Sequence, residues 1–254
     1  MELYVNGKRV MWASIDGAVV ETPGVGPFRL ESAGGTLSAR LVGCGSTLEF
    51  DSGTGWRMYS DGDVVEVPEG GHASFRLRTG EDGASGIRCE LSGPAAARGS
   101  LASLVQPGWF EGGALSRPSA FTNFLSGQTG LVDAAGLVLP PLGVQAERAF
   151  LGLFRDCTSL SSAPSSVRGT AGVYACQGMF MNCASLSSVP GLEVEGAAER
   201  AFENYARDSG MSSVPAVNAG ISLSGNYGFN YAFSGSQAAS ASLDTPGGAT
   251  FRAF

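Results

Sequence analysis

The chain holds few groups that could do chemistry. Its 254 residues include one histidine, His72, and one lysine, Lys8, and only 15% of them are charged. A single imidazole cannot build a His-rich metal site or a two-histidine catalytic centre. The other basic residues are arginines scattered one at a time in a chain of formal net charge −7. Nucleic acid needs a clustered basic footprint, so none is expected as a partner. Long apolar runs are missing too. The longest, Leu131 to Val144, is broken by Asp133 and by Pro140-Pro141, which argues against membrane insertion. Asn6 to Arg9 interrupt the stretch that a secretory signal would need, so the sequence reads as one used without signal-directed export. Cys44, Cys89, Cys157, Cys176 and Cys183 are odd in number and contain no CxxC pair. They read as buried free thiols rather than as a disulfide framework or a zinc site.

What is abundant is glycine, 38 residues, alongside a hydrophobic content of 43%. That combination fits a turn-dense, β or repeat protein with a real core. Leu3-Tyr4-Val5 and Val10-Met11-Trp12 flank Asn6-Gly7, the dipeptide of a tight hairpin, and Gly17 to Val20 reads as another short strand. Thr22 to Pro27 reads as a linker. Residues 1–25 are therefore assigned to a hairpin arm and its exit. From Phe28 to Leu91 seven apolar–polar alternating stretches follow one another, at 28–30, 37–41, 47–50, 56–59, 64–67, 73–78 and 87–91, with Gly/Asp/Ser clusters between them. This predicts an antiparallel β-sandwich over residues 26–98.

After Pro94 a repeat takes over. Phe150-x-x-Leu153-Phe154-x-x-Cys157-x-x-Leu160, ending at Pro164, recurs as Cys176-x-x-Met179-Phe180-x-x-Cys183-x-x-Leu186, ending at Pro190. Looser copies begin at Phe121, with Leu131 and Pro140; at Tyr205, with Asp208, Met211 and Pro215; and at Phe229, with Phe233 and Ser236. The units lie near 121–140, 150–164, 176–190, 201–215 and 229–236, within a repeat region of 99–240 and ahead of a tail at 241–254. Phe150, Leu153 and Phe154 stand at i, i+3 and i+4, which predicts a short helical turn, then a bend at Cys157 and a brief strand. Stacked units place Phe154 on Phe180 on Tyr205, and Leu160 on Leu186 on Met211. Cys157 and Cys183 become neighbours in a ladder that Gln128 and Asp208 complete.

The unit Phe-x-x-Met/Leu-Phe-x-x-Cys-x-Ser-Leu-x-x-x-Pro resembles the BspA-like leucine-rich repeat family, over roughly residues 28–236. The stretch Leu48-Glu-Phe50, Trp56, Tyr59 and Gly62 to Val67 is similar to the small β-domain that often precedes such arrays. The resemblance implies adhesion or recognition, as in bacterial surface proteins and in related phage-encoded proteins. Together these readings predict a β-rich, two-domain chain: an N-terminal antiparallel β-sandwich followed by a short α/β leucine-rich-repeat solenoid. The expected function is that of a non-enzymatic virion component, in the tail or decorating the capsid, that docks on other virion or surface proteins through residues 1–98. It would show its repeats to a host glycan or surface protein and form a homo-oligomer. The alternative is a bacterial cell-surface adhesin.

Candidate chemistry is thin. Asp51, Asp61 and Asp63 could offer oxygen ligands, but their spacing lacks the glycine and terminal glutamate of a calcium loop, and turn formation is the better reading. His72 follows Glu69-Gly70-Gly71 and reads as a hairpin tip; no Gly-x-Ser-x-Gly elbow exists. Glu193, Glu195, Glu199 and Glu203 read as one polar stretch rather than as a facing acid/base pair. No cofactor, metal or catalytic residue is assigned. Trp109, Phe110, Tyr227 and Tyr231 lie outside the repeat's core positions and are the candidates for ligand binding. The array's open end is expected to need cover, from the tail or a partner subunit.

Overall fold

The computed structural model describes residues 26–109, 112–213, 215 and 229–236, together with the backbone of short strands at 3–5, 8–10, 12–15, 18–21, 222–223, 242–244 and 250–252. The N-terminal arm forms two hairpins. β1 (Leu3–Val5) pairs with β2 (Lys8–Val10), and β3 (Trp12–Ile15) with β4 (Ala18–Glu21), both antiparallel. The expected hairpin is therefore present, with Val5 opposite Lys8, while Asn6-Gly7 itself lies outside the described residues.

Each of the seven alternating stretches becomes a strand: β5 (Phe28–Ser32), β6 (Leu37–Val42), β7 (Leu48–Asp51), β8 (Arg57–Met58), β9 (Val65–Val67), β10 (His72–Leu77) and β11 (Arg88–Ser92). Their period of two sends Phe28, Leu30, Leu37, Ala39 and Leu41 inward while their neighbours stay at least partly exposed. Tyr59 joins the layers: its hydroxyl accepts the Leu41 N–H at 2.7 Å and donates to a backbone carbonyl.

Two further strands lie across and beyond residue 98, where the domain boundary was expected. β12 (Ala95–Ser100), a stretch of alanines with no strand propensity to announce it, pairs antiparallel with β5. On its other side it pairs parallel with β13 (Leu131–Val138), which belongs to the first repeat. The sheet order is β13-β12-β5-β10-β7-β8, beside a three-stranded sheet β11-β6-β9. One sheet thus runs from the β-domain into the repeats, and one continuous core extends from Phe28 to Phe233. Arg98 fastens this junction, bridging Glu31 on β5 and Asp133 on β13. Burial pushes the Asp133 carboxyl up, but the Ala135 N–H and the Arg98 guanidinium outweigh it and hold the group below its ordinary range.

The α/β leucine-rich-repeat solenoid is not what the structure holds. Among the described residues there is no α-helix, only a 3-10 turn at Leu101–Leu104. No helix there is long and apolar enough to cross a membrane. Where a helical turn was expected, each repeat forms a run of linked turns whose backbone turns left-handed at every fourth residue: Arg148, Gly152 and Asp156, then Tyr174, Gly178 and Asn182, then Arg200, Asn204 and Asp208. Those residues interrupt a right-handed coil before it can become a helix. The N–H groups then divide by parity. Leu151, Leu153, Arg155 and Cys157 donate to the carbonyl three residues back, whereas Arg148, Phe150, Gly152, Phe154 and Asp156 donate to the next repeat, at Val173, Ala175, Gln177, Met179 and Met181. A helix spends its bonds on itself; this rung spends half of them on its neighbour.

Behind the rungs, β14 (Ser166–Ala171), β15 (Gly191–Ala197) and β16 (Ser222–Leu223) pair in parallel, and Leu115, Leu142 and Gly169 form a second parallel line of bridges. In the tail, β17 (Ser242–Asp244) pairs with β18 (Thr250–Arg252).

Candidate functional site

Two buried residues alternate with two outward ones along each rung. In the second rung Ala149-Phe150, Leu153-Phe154 and Cys157 are buried, while Glu147-Arg148, Leu151 and Arg155-Asp156 reach the surface to varying degrees. The apolar period is four, not 3.6, and the inter-rung bonds fix which residues are equivalent. Phe150 and Phe154 donate to the residues just before Cys176 and Phe180; Cys176 and Phe180 donate to those just before Phe202 and Ala206.

That register moves the fourth copy by one residue from its expected alignment. Ala206, not Tyr205, follows Phe154 and Phe180, while Phe202 falls in the column of Phe150 and Cys176 and stacks on Phe229 at 4.9 Å and 10°. Phe121 stacks on Phe150 in the same column at 6.1 Å. Phe154 and Phe180 stack at 5.2 Å and 9°, but Tyr205 meets Phe180 edge-on at 89° because it occupies the Met179 position. Its hydroxyl is buried without a hydrogen-bond partner. Phe121, Leu131, Phe150, Phe154, Cys157, Leu160, Phe180, Cys183, Leu186, Tyr205, Met211, Phe229 and Phe233 are all buried, as core positions should be.

The cysteine ladder has a chemical logic of its own. Cys157 and Cys183 are free, and each thiol donates to a carbonyl of the preceding rung, Leu125 at 3.0 Å and Phe154 at 3.1 Å. Burial pushes the Cys157 thiol up to about 12. Ser209 takes the same place in the fourth rung and Ser236 in the fifth, each hydroxyl donating to the carbonyl three residues back. The expected occupant, Asp208, is exposed instead, at a left-handed position. In the first rung Gln128 departs from the pattern because its side chain accepts the Leu91 N–H at 2.8 Å. With Gly86 donating to Ser119 and Cys89 to Phe124, the β-domain closes that end of the ladder.

Left-handed positions make straight outward columns. One runs Arg148, Tyr174, Arg200, with both guanidinium groups against the Tyr174 ring at 5.5 and 6.0 Å. Another runs Asp156, Asn182, Asp208, in which Asn182 donates to Asp156 at 2.6 Å. Between them lie Asn123, Gly152, Gly178, Asn204 and Tyr231, the last half exposed.

Other sequence candidates are dispersed. Asp51 caps its own turn, accepting from Gly53, Thr54 and Gly55 at 2.8–3.1 Å. Asp61 accepts the Cys44 N–H and thiol; burial pushes that thiol up to about 12. His72 opens β10 opposite Glu31 rather than sitting at a hairpin tip. Glu193 and Glu195 project from β15, while Glu199 and Glu203 lie on the fourth rung, where both pair with Arg200. Of the four ligand candidates, the two described ones, Trp109 and Tyr231, lie on different parts of the chain's fold. Phe110 and Tyr227 lie outside the described residues, and Tyr231 is exposed on the last described rung. Trp109, expected to be exposed, is 91% covered and packs on Ala102 apart from the main core.

Trp109 does line a cleft of about 240 Å³ with Val138, Leu139, Pro140, Pro141 and Arg168. Ser100 and Ala102 border it on the β-domain side. Sequence inspection missed this site because its walls come from four separate segments, joined only when β13 docks on β12. No protein-family model, no curated protein and no solved structure matches the chain.

Proposed function

We propose that this chain is a non-enzymatic attachment and recognition protein, carried on a phage particle, that docks through residues 1–98 and turns its rung surface towards a host cell. The observation that carries this reading is the set of outward columns. Backbone hydrogen bonds between rungs hold Arg148, Tyr174 and Arg200, and beside them Asp156, Asn182 and Asp208, in fixed alignment. Side chains preorganised on a stiff backbone lose little freedom on binding, which is what a recognition surface requires. The closed junction at Gly86, Cys89 and Leu91 supports the division of labour, since a rigid link between base and display transmits orientation. The likeness of the repeat unit to BspA-like repeats supports adhesion rather than chemistry.

Electron microscopy and peptide mapping of purified particles test the assignment. Copies of the chain on the particle, with host-cell adsorption lost on its deletion, are the expected result. Its presence on a bacterial envelope and on no particle would replace the virion reading with that of a cell-surface adhesin.

A further inference from the structure

The cleft beside Trp109 is walled by four chain segments and carries a charge that no carboxylate neutralises among the described residues. Its walls are apolar and stiff. Trp109 is fixed by packing on Ala102, two successive prolines hold their own backbone, and Val138 and Leu139 end β13. Arg168, on β14, is the one charged residue among the described residues that line the cleft. Its side chain is exposed and makes no ion pair among the described residues. In a chain of net charge −7, Arg29, Arg40, Arg76 and Arg98 each have a carboxylate against them, whereas Arg168 has none among the described residues.

We propose that this cleft binds one acidic sugar residue, of the uronic acid class, within a larger glycan. This deepens the recognition reading and rests on it for its biological meaning. The volume, about 240 Å³, is below the range of drug-sized pockets and suits a single ring. A pyranose has an apolar face, made by its axial C–H groups, which needs a flat aromatic or aliphatic wall; Trp109 with Pro140 and Pro141 supplies it. The ring carboxylate needs a planar two-pronged donor, and Arg168 supplies it at the mouth. A neutral sugar would leave the guanidinium unused. An acidic peptide side chain would leave the apolar walls without a matching face.

The test uses the full chain and D-glucuronate, followed by saturation-transfer NMR, with D-glucose and a blocked aspartate tripeptide as comparisons. Saturable transfer to the glucuronate ring protons is expected, with about tenfold or weaker binding of glucose. Arg168→Gln should lose about tenfold in glucuronate affinity and keep its folding midpoint, because its exposed side chain makes no ion pair among the described residues. Trp109→Phe keeps a ring in the wall if Trp109→Ala fails to fold, and should weaken glucuronate and glucose alike. Equal binding of glucose and glucuronate, unchanged affinity in Arg168→Gln, preference for the tripeptide, or no saturable transfer would each overturn the proposal. Glucuronate binding by a chain absent from particles would sink the virion reading and leave the sugar site standing; particles that carry the chain but bind no glucuronate would do the reverse.

Discussion

Replacing Gly178 by alanine separates the rung from a helix by the sign of its effect. In a helix interior this change stabilises by about 1 kcal/mol, because glycine is the poorest helix former after proline. In the rung Gly178 has φ +59°, in the left-handed region. An alanine there costs about 1–2 kcal/mol of backbone strain. The stiffer unfolded chain returns about 0.4–1 kcal/mol of it. The new Cβ would lie 2.9 Å from Nη2 of Arg155, the end of a flexible side chain, so displacement adds little. The net expectation is a loss of about 1 kcal/mol, or about 2–4 °C in melting temperature for a chain of this size. Gly152→Ala should cost more, about 2 kcal/mol, since its φ is +60° and its Cβ would lie 2.2 Å from the Asn123 carboxamide oxygen of the neighbouring rung. Gly178→Asn is the control. Asparagine tolerates the left-handed region and already occupies the equivalent sites at Asn123 and Asn204, so it should lose less than alanine. Denaturant midpoints of the three variants give the answer. A higher midpoint for Gly178→Ala would refute the rung.

Three other outcomes follow from the packing. Phe154→Ala removes a fully buried ring stacked on Phe180 and should cost about 3–5 kcal/mol, whereas Tyr231→Ala, half exposed, should stay within about 0.5 kcal/mol; paired denaturation curves check both. Tyr205→Phe deletes a buried hydroxyl with no partner and should raise stability by about 1 kcal/mol, read as a higher midpoint. Burial raises the thiols of Cys44, Cys89, Cys157, Cys176 and Cys183 above their ordinary value of 9.0. All five should resist a disulfide reagent at pH 8 in the native chain and react in denaturant. The folded state keeps thiol protons that the unfolded chain releases, so stability should hold up to about pH 9 and fall above it. A pH series of denaturant midpoints that stays flat from pH 8 to 11 would contradict this.

The β-domain was almost fully legible in the sequence, because a half-buried strand writes its period of two into residues such as Phe28, Leu30, Leu37, Ala39 and Leu41. Ala95–Ser100 was not, since a central strand of alanines owes its place to neighbours on both sides rather than to propensity. Repeat positions were legible and their conformation was not. Phe150, Leu153 and Phe154 satisfy both a 3.6-residue and a four-residue period. Only the added burial of Ala149 and Cys157, eight residues apart, favours four. The one-residue slip at Tyr205 and Asp208 arose because the true positions hold Ala206 and Ser209 rather than a ring and a thiol, so the aromatic one residue earlier drew the alignment. Of the two described binding candidates only Trp109 lines a cleft, and its companion there, Arg168, lies 59 residues away in sequence and gave no local signal.

By itself the sequence determined that this chain would bury stacked aromatic, thiol and leucine positions and would carry no dense cluster of basic groups. Those properties follow from which residues recur and at what interval. Only the tertiary structure decided how the backbone between those positions would run. A short apolar segment can satisfy its N–H groups internally, as a helix, or share them with a neighbour. Here Ala149, Ala175 and Ala201 offer carbonyls one rung away to Phe121, Phe150 and Cys176. Shared bonds won over internal ones because every repeat but the last described has a partner stacked on it, and no single repeat contains that information.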